Sequence, residues 1–347
     1  MAWDLLIDRT DLARTSLVEV PEPVAGPGEA LLRVDRVGLT ANNATYAVFG
    51  GDMRYWDFFP APTGSGRVPL WGFATVVASA SPLAEVGQQV YGYLPSSSHL
   101  VVTPGPGPAF RDVAPHRAEL AAVYNSYLPA EVADAHDGAL QLLYRPLFGT
   151  AFLLADLLAS SELFGATQVV FSSASSKTAY CTAALLRGAG RLVGLTSPGN
   201  LAFVESLGVY DEVRAYDDVA SLALAPTTYV DLAGAAPLRS AVHHHLGDLL
   251  VHSAVVGATQ FDPGTGERLP GAVPTFFFAP DRIVTRTADW GPDGFRSRYD
   301  AAWADALPSL DSWVDVVTHA GPEALQALWP KVLAGEVAPR EGHVVSL

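Results

Sequence analysis

Hydrophobic and polar positions follow three different rhythms along the chain. Over residues 1 to about 128, short β-type runs stand at 30–34, 74–78, 89–93 and 100–102, each bounded by proline and glycine turns. Short strands punctuated in this way predict an irregular β-barrel. Between Pro129 and Ala159 the apolar positions take a helical spacing, and from there to about residue 260 strand-like and helix-like runs alternate. Such alternation predicts a parallel sheet covered by helices. No internal repeat is evident.

The densest information lies in residues 168–197, QVVFSSASSKTAYCTAALLRGAGRLVGLTS. A short apolar strand at 169–171 runs into a turn of small residues at 172–176. A helix over 178–186 follows, ended by Gly188 and Gly190, and then a second buried strand at 192–195. This is the mononucleotide half of a Rossmann fold, in which a turn and a helix N-terminus present backbone N–H groups to a phosphate. A site preferring NAD carries Asp or Glu at the end of its second strand, to accept the ribose 2′-hydroxyl. Here that place is held by Thr196, Ser197, Pro198, Gly199 and Asn200, without a carboxylate. Ser197 and Asn200 can donate to a 2′-phosphate, and Lys177 can supply charge, so the cofactor expected is NADP(H). The usual glycines of the turn are absent, with Ser175, Ser176 and Lys177 in their stead. A rival reading takes Ser176, Lys177 and Thr178 as the end of a Walker A loop and 231–234, DLAG, as a switch element. Both Walker glycines are missing and no guanine-specificity motif is present.

Composition narrows the class. A chain of 347 residues with 49% hydrophobic and 16% charged residues buries a large core and suits two domains. Its net charge of -15 opposes broad contact with nucleic acid or anionic lipid, leaving only a local basic pocket open. The single cysteine, Cys181, excludes an internal disulfide and fits a reducing cytoplasm. It falls within the predicted helix, as a buried structural thiol would. The N-terminal MAWDLLIDRTDL carries acids and does not read as a signal peptide. No uncharged apolar run approaches the roughly 20 residues that cross a bilayer. No membrane partner is expected.

The order of motifs then resembles a known family. GPGEALLRVDRVGLTANN (26–43) is similar to the opening of the medium-chain dehydrogenase/reductase superfamily, in particular its zinc-independent quinone oxidoreductase and enoyl reductase branches. RVPLWGFATVVASASPLAEVGQQVYGY (67–93) resembles the second signature, with GQQV where the family usually has Gly-Asp-Arg-Val. LFGTAFLLADLL (147–158), the cofactor turn, YVDLAGA (229–235), HSAVVGAT (252–259), TFFFAP (275–280) and the closing KVLAGEVAPREGHVVSL follow in the family's order. The resemblance implies an α/β protein with a GroES-like barrel, residues 1–128 completed by 310–347. A Rossmann NADP(H)-binding domain, 129–309, is inserted, with the active site in the cleft between them. It further implies a homodimer paired through the sheet edge near 275–278. Carried over residue by residue, Thr150 matches the threonine near the nicotinamide and Ser175, Ser176, Lys177 and Thr178 the pyrophosphate turn. Ser197 and Asn200 match the 2′-phosphate loop and Tyr216 the tyrosine beside the adenosine, while Gly257, Ala258, Phe277 and Phe278 flank the nicotinamide.

Zinc-dependent members place Cys near GLTANN and His in the second signature, where this chain has Asn43 and Phe73. The nitrogen, sulfur or oxygen ligands that zinc needs are not present there. In the run His243 to His245, three consecutive residues on a helix point in different directions, as at an exposed helix end. Without a metal, reduction of an activated alkene needs a carbonyl anchor and a proton donor. Asn43 and Tyr46 stand where related reductases carry polar substrate-facing residues, and an interdomain packing role for Tyr46 stands beside that reading. The segment 53–60, MRYWDFFP, either lines an apolar substrate pocket or caps the barrel. Arg145 either binds a carboxylate or phosphate or makes a helix-surface ion pair. The function expected is NADPH-dependent reduction of an enone, quinone or similar conjugated carbonyl. The alternative is an NADPH-binding redox-sensing or partner-binding protein without turnover.

Overall fold

The computed structural model describes residues 2–257 and 268–347. The chain divides into two compact units, 1–145 with 314–347, and 146–313. In the first, strands β1 (Ala2–Asp8), β2 (Thr15–Val20), β3 (Ala30–Leu39), β4 (Ser65–Gly66), β5 (Pro69–Ser79) and β6 (Gln89–Pro95) are followed by β7 (His99–Val102), β8 (Pro104–Gly105), β9 (Phe110–Asp112) and β10 (Ser126–Pro129). Helix α1 (Ala41–Val48) follows β3, and α2 (Ala135–Ser160) leaves the unit, the division falling between Arg145 and Pro146. β3 pairs with β5 and β5 with β6, all antiparallel, and Leu32, Val34, Leu70, Val76 and Val90 fill the core between the sheets. Inward apolar residues at alternate positions on each strand make this core.

The second unit is a six-stranded sheet of β11 (Gln168–Phe171), β12 (Arg191–Thr196), β13 (Glu212–Ala215), β14 (Thr227–Asp231), β15 (Leu250–Val255) and β16 (Thr275–Phe276). Every pairing is parallel. The spatial order is β13-β12-β11-β14-β15-β16, third, second, first, fourth, fifth, sixth. This is the doubly wound dinucleotide-binding order, with its switch point between β11 and β14. Helices α3 (Lys177–Leu185), α4 (Leu201–Ser206), α5 (Ala236–Leu246) and the long α6 (Ala279–Ser312) belong to this unit. β11 and β14 are buried at every position, because helices cover both faces of a parallel sheet. The chain then returns to the first unit through β17 (Asp315–Ala320), α7 (Pro322–Ala334) and β18 (Glu341–Ser346), which pairs antiparallel with β3.

One expectation, that of an exposed histidine run, is corrected here. By length and composition α2 is apolar enough to cross a bilayer, yet 56% of its apolar window is buried within the protein. Leu142 explains this locally: its carbonyl lies 2.7 Å from where a Cβ on Gly38 would stand, so α2 lies close against β3 as a core helix. The three histidines do diverge, but His243 is buried, its ring bonded to the Pro270 carbonyl at 2.9 Å and the Ser253 hydroxyl at 3.1 Å. Only His244 is at the exposed helix surface.

Candidate functional site

In a parallel sheet the C-terminal strand ends share one edge, and the residues expected at the cofactor follow those ends. Ser175, Ser176, Lys177 and Thr178 come after β11, Ser197 and Asn200 after β12, Tyr216 after β13, Gly257 after β15, and Phe277 and Phe278 after β16. Two contacts tie them. The Asn200 side-chain amide donates to the Ser175 hydroxyl at 3.3 Å, and the Tyr216 hydroxyl is hydrogen-bonded to Ser173. Ser176 caps α3, its hydroxyl accepting from Ala179 N at 3.4 Å, so the N-terminus of α3, with its partial positive charge, lies at this edge.

The turn holds its shape without glycines. Ser173 adopts φ +50°, a left-handed backbone that non-glycine residues enter at a cost of order 1–3 kcal/mol. Neighbours fix it. Ala174 N donates to the Leu195 carbonyl at 2.9 Å, and the Tyr210 hydroxyl donates to the Ala174 carbonyl at 3.0 Å. Gly194 makes room for this, since a Cβ there would meet Ala174 Cβ at 2.9 Å. Ser172, fully buried, donates to Asp231 Oδ1 at 2.9 Å and accepts from Leu232 N and Ala233 N at 2.9 and 3.0 Å. Asp231 also faces Arg239 at 3.5 Å and accepts from Gly234 N at 3.0 Å. DLAG is therefore a structural brace at the switch point, and its aspartate is fully buried.

Lys177 begins α3 directly after the turn. It is buried, with its charge disfavoured by desolvation and its pKa lowered to about 8, and Cys181 is the neighbour one turn along α3. The thiol of Cys181 is itself pushed up by burial. Thr150 donates to the Pro146 carbonyl at 3.2 Å within α2. Gly257 approaches β14 closely, a Cβ there meeting the Leu232 carbonyl at 3.2 Å. Ala258 lies outside the described residues.

In the first unit Tyr46 and Asn43 lie on α1, and the structure gives them different surroundings. Asn43 Oδ1 accepts from Thr40 N at 2.8 Å, closing the start of the helix, and its amide donates to the Pro69 carbonyl at 2.9 Å. At 2% exposure its polar atoms serve the fold. Tyr46 is the hub of a ring cluster with Tyr55, Tyr93 and Tyr124 at centroid distances of 4.7, 5.3 and 6.2 Å. Its hydroxyl accepts from Trp71 Nε1 at 3.0 Å and is also bonded to Asn42 and Tyr124. Burial foremost, and Tyr55 next, push the phenol well above its ordinary pKa, so it stays protonated. Phe58 and Phe59 from the aromatic segment pack against Tyr93 in the same cluster. Sequence reasoning missed Asn42, Trp71 and Tyr93. Alternation along β5 and β6 was the available signal, since Trp71 pairs with Tyr93 and Phe73 with Tyr91. Among the described residues no group of three His, Cys, Asp or Glu comes together as a metal site.

The fold has many solved relatives at low identity. CurA from Vibrio vulnificus in complex with NADPH is 14% identical, with a TM-score of 0.63 covering 96% of this chain and 94% of that one. A quinone oxidoreductase from Pseudomonas syringae is 17% identical, at 0.61 with coverage of 99% and 100%. The yhdH oxidoreductase from Salmonella enterica in complex with NADP is 15% identical, at 0.55 with 100% of both chains covered. They establish the architecture, a GroES-like unit with a Rossmann unit, that the sequence resemblance implied. No curated protein matches the chain. The chain belongs to the family described as Protein of unknown function (DUF2855), whose family model matches residues 37–338.

Proposed function

We propose that this DUF2855 protein is an NADPH-dependent, zinc-independent oxidoreductase that reduces an enone, quinone or similar conjugated carbonyl in the cytoplasm. One observation carries the reading: at the switch-point edge of a 3-2-1-4-5-6 sheet, an N-capped helix and an acid-free second-strand end are joined through Asn200 and Ser175. That arrangement suits a pyrophosphate beside a 2′-phosphate. Fold relatives bound to NADPH or NADP support it. When bound, the cofactor supplies a hydride.

The chain's own groups have the remaining tasks. Ser175, Ser176 and the first turn of α3, with Lys177 and Thr178, hold the pyrophosphate, and Ser197 and Asn200 the 2′-phosphate. Tyr216 flanks the adenosine. Gly257 leaves space that a side chain would fill, and Thr150, Phe277 and Phe278 flank the nicotinamide. In the first unit Tyr46, kept protonated by burial and accepting from Trp71, donates its proton toward the substrate carbonyl. Asn43 fixes the start of the helix that carries it. Positions that bind zinc elsewhere hold Asn43 and Phe73, an amide tied to backbone and a ring packed edge-on to Tyr91.

Homodimerisation belongs to the same reading. The edge strand β16 leaves Phe276 54% exposed, near Val273 at 74%, and an apolar parallel edge is relieved by pairing. NADPH oxidation followed by absorbance over enones, quinones and unsaturated thioesters tests the activity, and turnover of one class is the expected result. Tight NADPH binding with no turnover across the panel would favour the second reading, a redox-sensing or partner-binding protein. The crowded, glycine-free turn and the buried Lys177 are the observations on that side.

A further inference from the structure

Tyr46, Tyr55 and Tyr124 come together from separate stretches of the first unit. Tyr46 lies on α1, Tyr55 in the 3-10 turn Tyr55–Phe58 and Tyr124 in the turn Ala122–Asn125 that leads into β10. The Tyr46 ring is 4.7 Å from Tyr55 and 6.2 Å from Tyr124, and Tyr55 and Tyr124 are 5.8 Å apart. Tyr124 stands edge-on to both of the others, at 86° and 85°. The hydroxyls are joined as well, Tyr124 being hydrogen-bonded to Tyr46 and to Tyr55. Those bonds favour the ionised forms of Tyr46 and Tyr55 and the protonated form of Tyr124, so Tyr124 is the donor on both sides.

The Tyr46 oxygen also accepts from Trp71 Nε1 at 3.0 Å and from the Asn42 side chain. An indole N–H can only donate, whereas a phenol both donates and accepts. Trp71 and Asn42 therefore hold the Tyr46 oxygen in place, and Tyr124 alone of its neighbours can both give it a proton and be resupplied. Loss of the Tyr46 proton would leave a phenolate that burial and the adjacent Tyr55 both disfavour. Tyr46 is also the most enclosed of these phenols, 4% exposed against 7% for Tyr55 and 9% for Tyr124. Tyr55 sits at the surface end of the path, between Arg54 and Asp57, whose exposed side chains pair at 2.8 Å. A charge left on Tyr46 has a route outward along hydroxyls that are already bonded.

We propose that Tyr124 and Tyr55 are positioning residues that return to Tyr46 the proton it gives to the substrate. This rests on the function proposed above and adds the path of its proton. As the Tyr46 O–H bond breaks and its proton goes to the substrate, the Tyr124 O–H bond breaks and its proton forms the new O–H bond on Tyr46. Tyr55 supplies Tyr124 in the same way and takes a proton from water. For each proton delivered to the substrate one leaves water, and no electrons move along the phenols. Hydroxyls that only satisfied one another inside a packed cluster would take no part in the rate.

The test is a proton inventory on the full chain. The single-turnover rate of NADPH oxidation is followed, with a conjugated carbonyl that wild type reduces, in mixtures of light and heavy water. Protons that move together in one step make the rate fall along a curve as deuterium rises, whereas a single moving proton gives a straight line. Wild type should give the curve. Tyr124→Phe should give the straight line and lower the rate at least about tenfold with KM for the carbonyl unchanged, a split that a collapsed cluster would not show. A straight line in wild type, or a curve that survives in Tyr124→Phe, would overturn the relay and leave the activity standing. The wild-type measurement decides this even where the variant fails to fold. Absence of NADPH oxidation by wild type over the whole panel would instead count against the activity and remove the relay with it.

Discussion

Tyr46 and Lys177 are two residues whose chemistry is altered by burial. Burial keeps the proton on the Tyr46 phenol at neutral pH and makes it a weaker acid, while the bond accepted from Trp71 opposes that shift. Tyr46→Phe should lower kcat by about 10²-fold with NADPH affinity unchanged, read by steady-state kinetics and a cofactor titration. A raised KM at constant kcat would instead assign the ring to packing. Lys177 works in the opposite sense, because burial lowers its pKa from 10.5 to about 8. Below pH 8 the lysine is protonated both folded and unfolded, and the cost of burying the charge is fully present. Between about 8 and 10.5 the unfolded chain holds a proton that the folded chain does not, so this group's contribution to stability rises with pH. Lys177→Met should raise the melting temperature of the cofactor-free protein by roughly 5 °C below pH 8. That gain should shrink toward pH 10.5, and a gain that grows with pH would refute the assignment.

At the scale of elements, α1 and the turn before α3 each depend on side chains that finish a backbone end. Asn43 reaches back to Thr40 N and across to Pro69, two bonds that alanine cannot make. Asn43→Ala should cost about 1–3 kcal/mol in urea denaturation, with any loss of activity following the loss of fold. Unchanged stability with a collapsed kcat would return Asn43 to the substrate. The turn was legible from its small residues. Its brace was not, since Ser172 and Asp231 are separated by 59 residues and meet only because β11 and β14 are neighbours in the sheet. The same reason hid Trp71 from Tyr46, residues 25 apart that meet through the packing of α1 on β5.

For the whole molecule, cofactor choice is the property on which most of the chain's organisation bears. The strand order sets the edge, and the second strand ends in Ser197 and Asn200 where an acid would select NAD. NADPH should therefore bind at least about tenfold more tightly than NADH in a fluorescence titration. Equal affinities would remove the argument. Homodimer formation is checked by light scattering at micromolar concentration, where a monomer mass would reject the pairing of β16 edges.

What the sequence determined by itself was periodic and local. Alternating short strands, the strand–turn–helix at 168–186 and the absence of an acid after β12 follow from residue types within a few positions of one another, because pleat, helix period and capping are short-range constraints. What only the tertiary structure decided was which polar atoms are already spoken for. Asn43 looked substrate-facing until Thr40 and Pro69 were beside it. The burial of Lys177 was not visible in the chain, and His243 looked exposed until Ser253 and Pro270 closed on it. Hydrogen-bond satisfaction and desolvation depend on neighbours brought in by strand pairing, and strand pairing is not written at any single position of the chain.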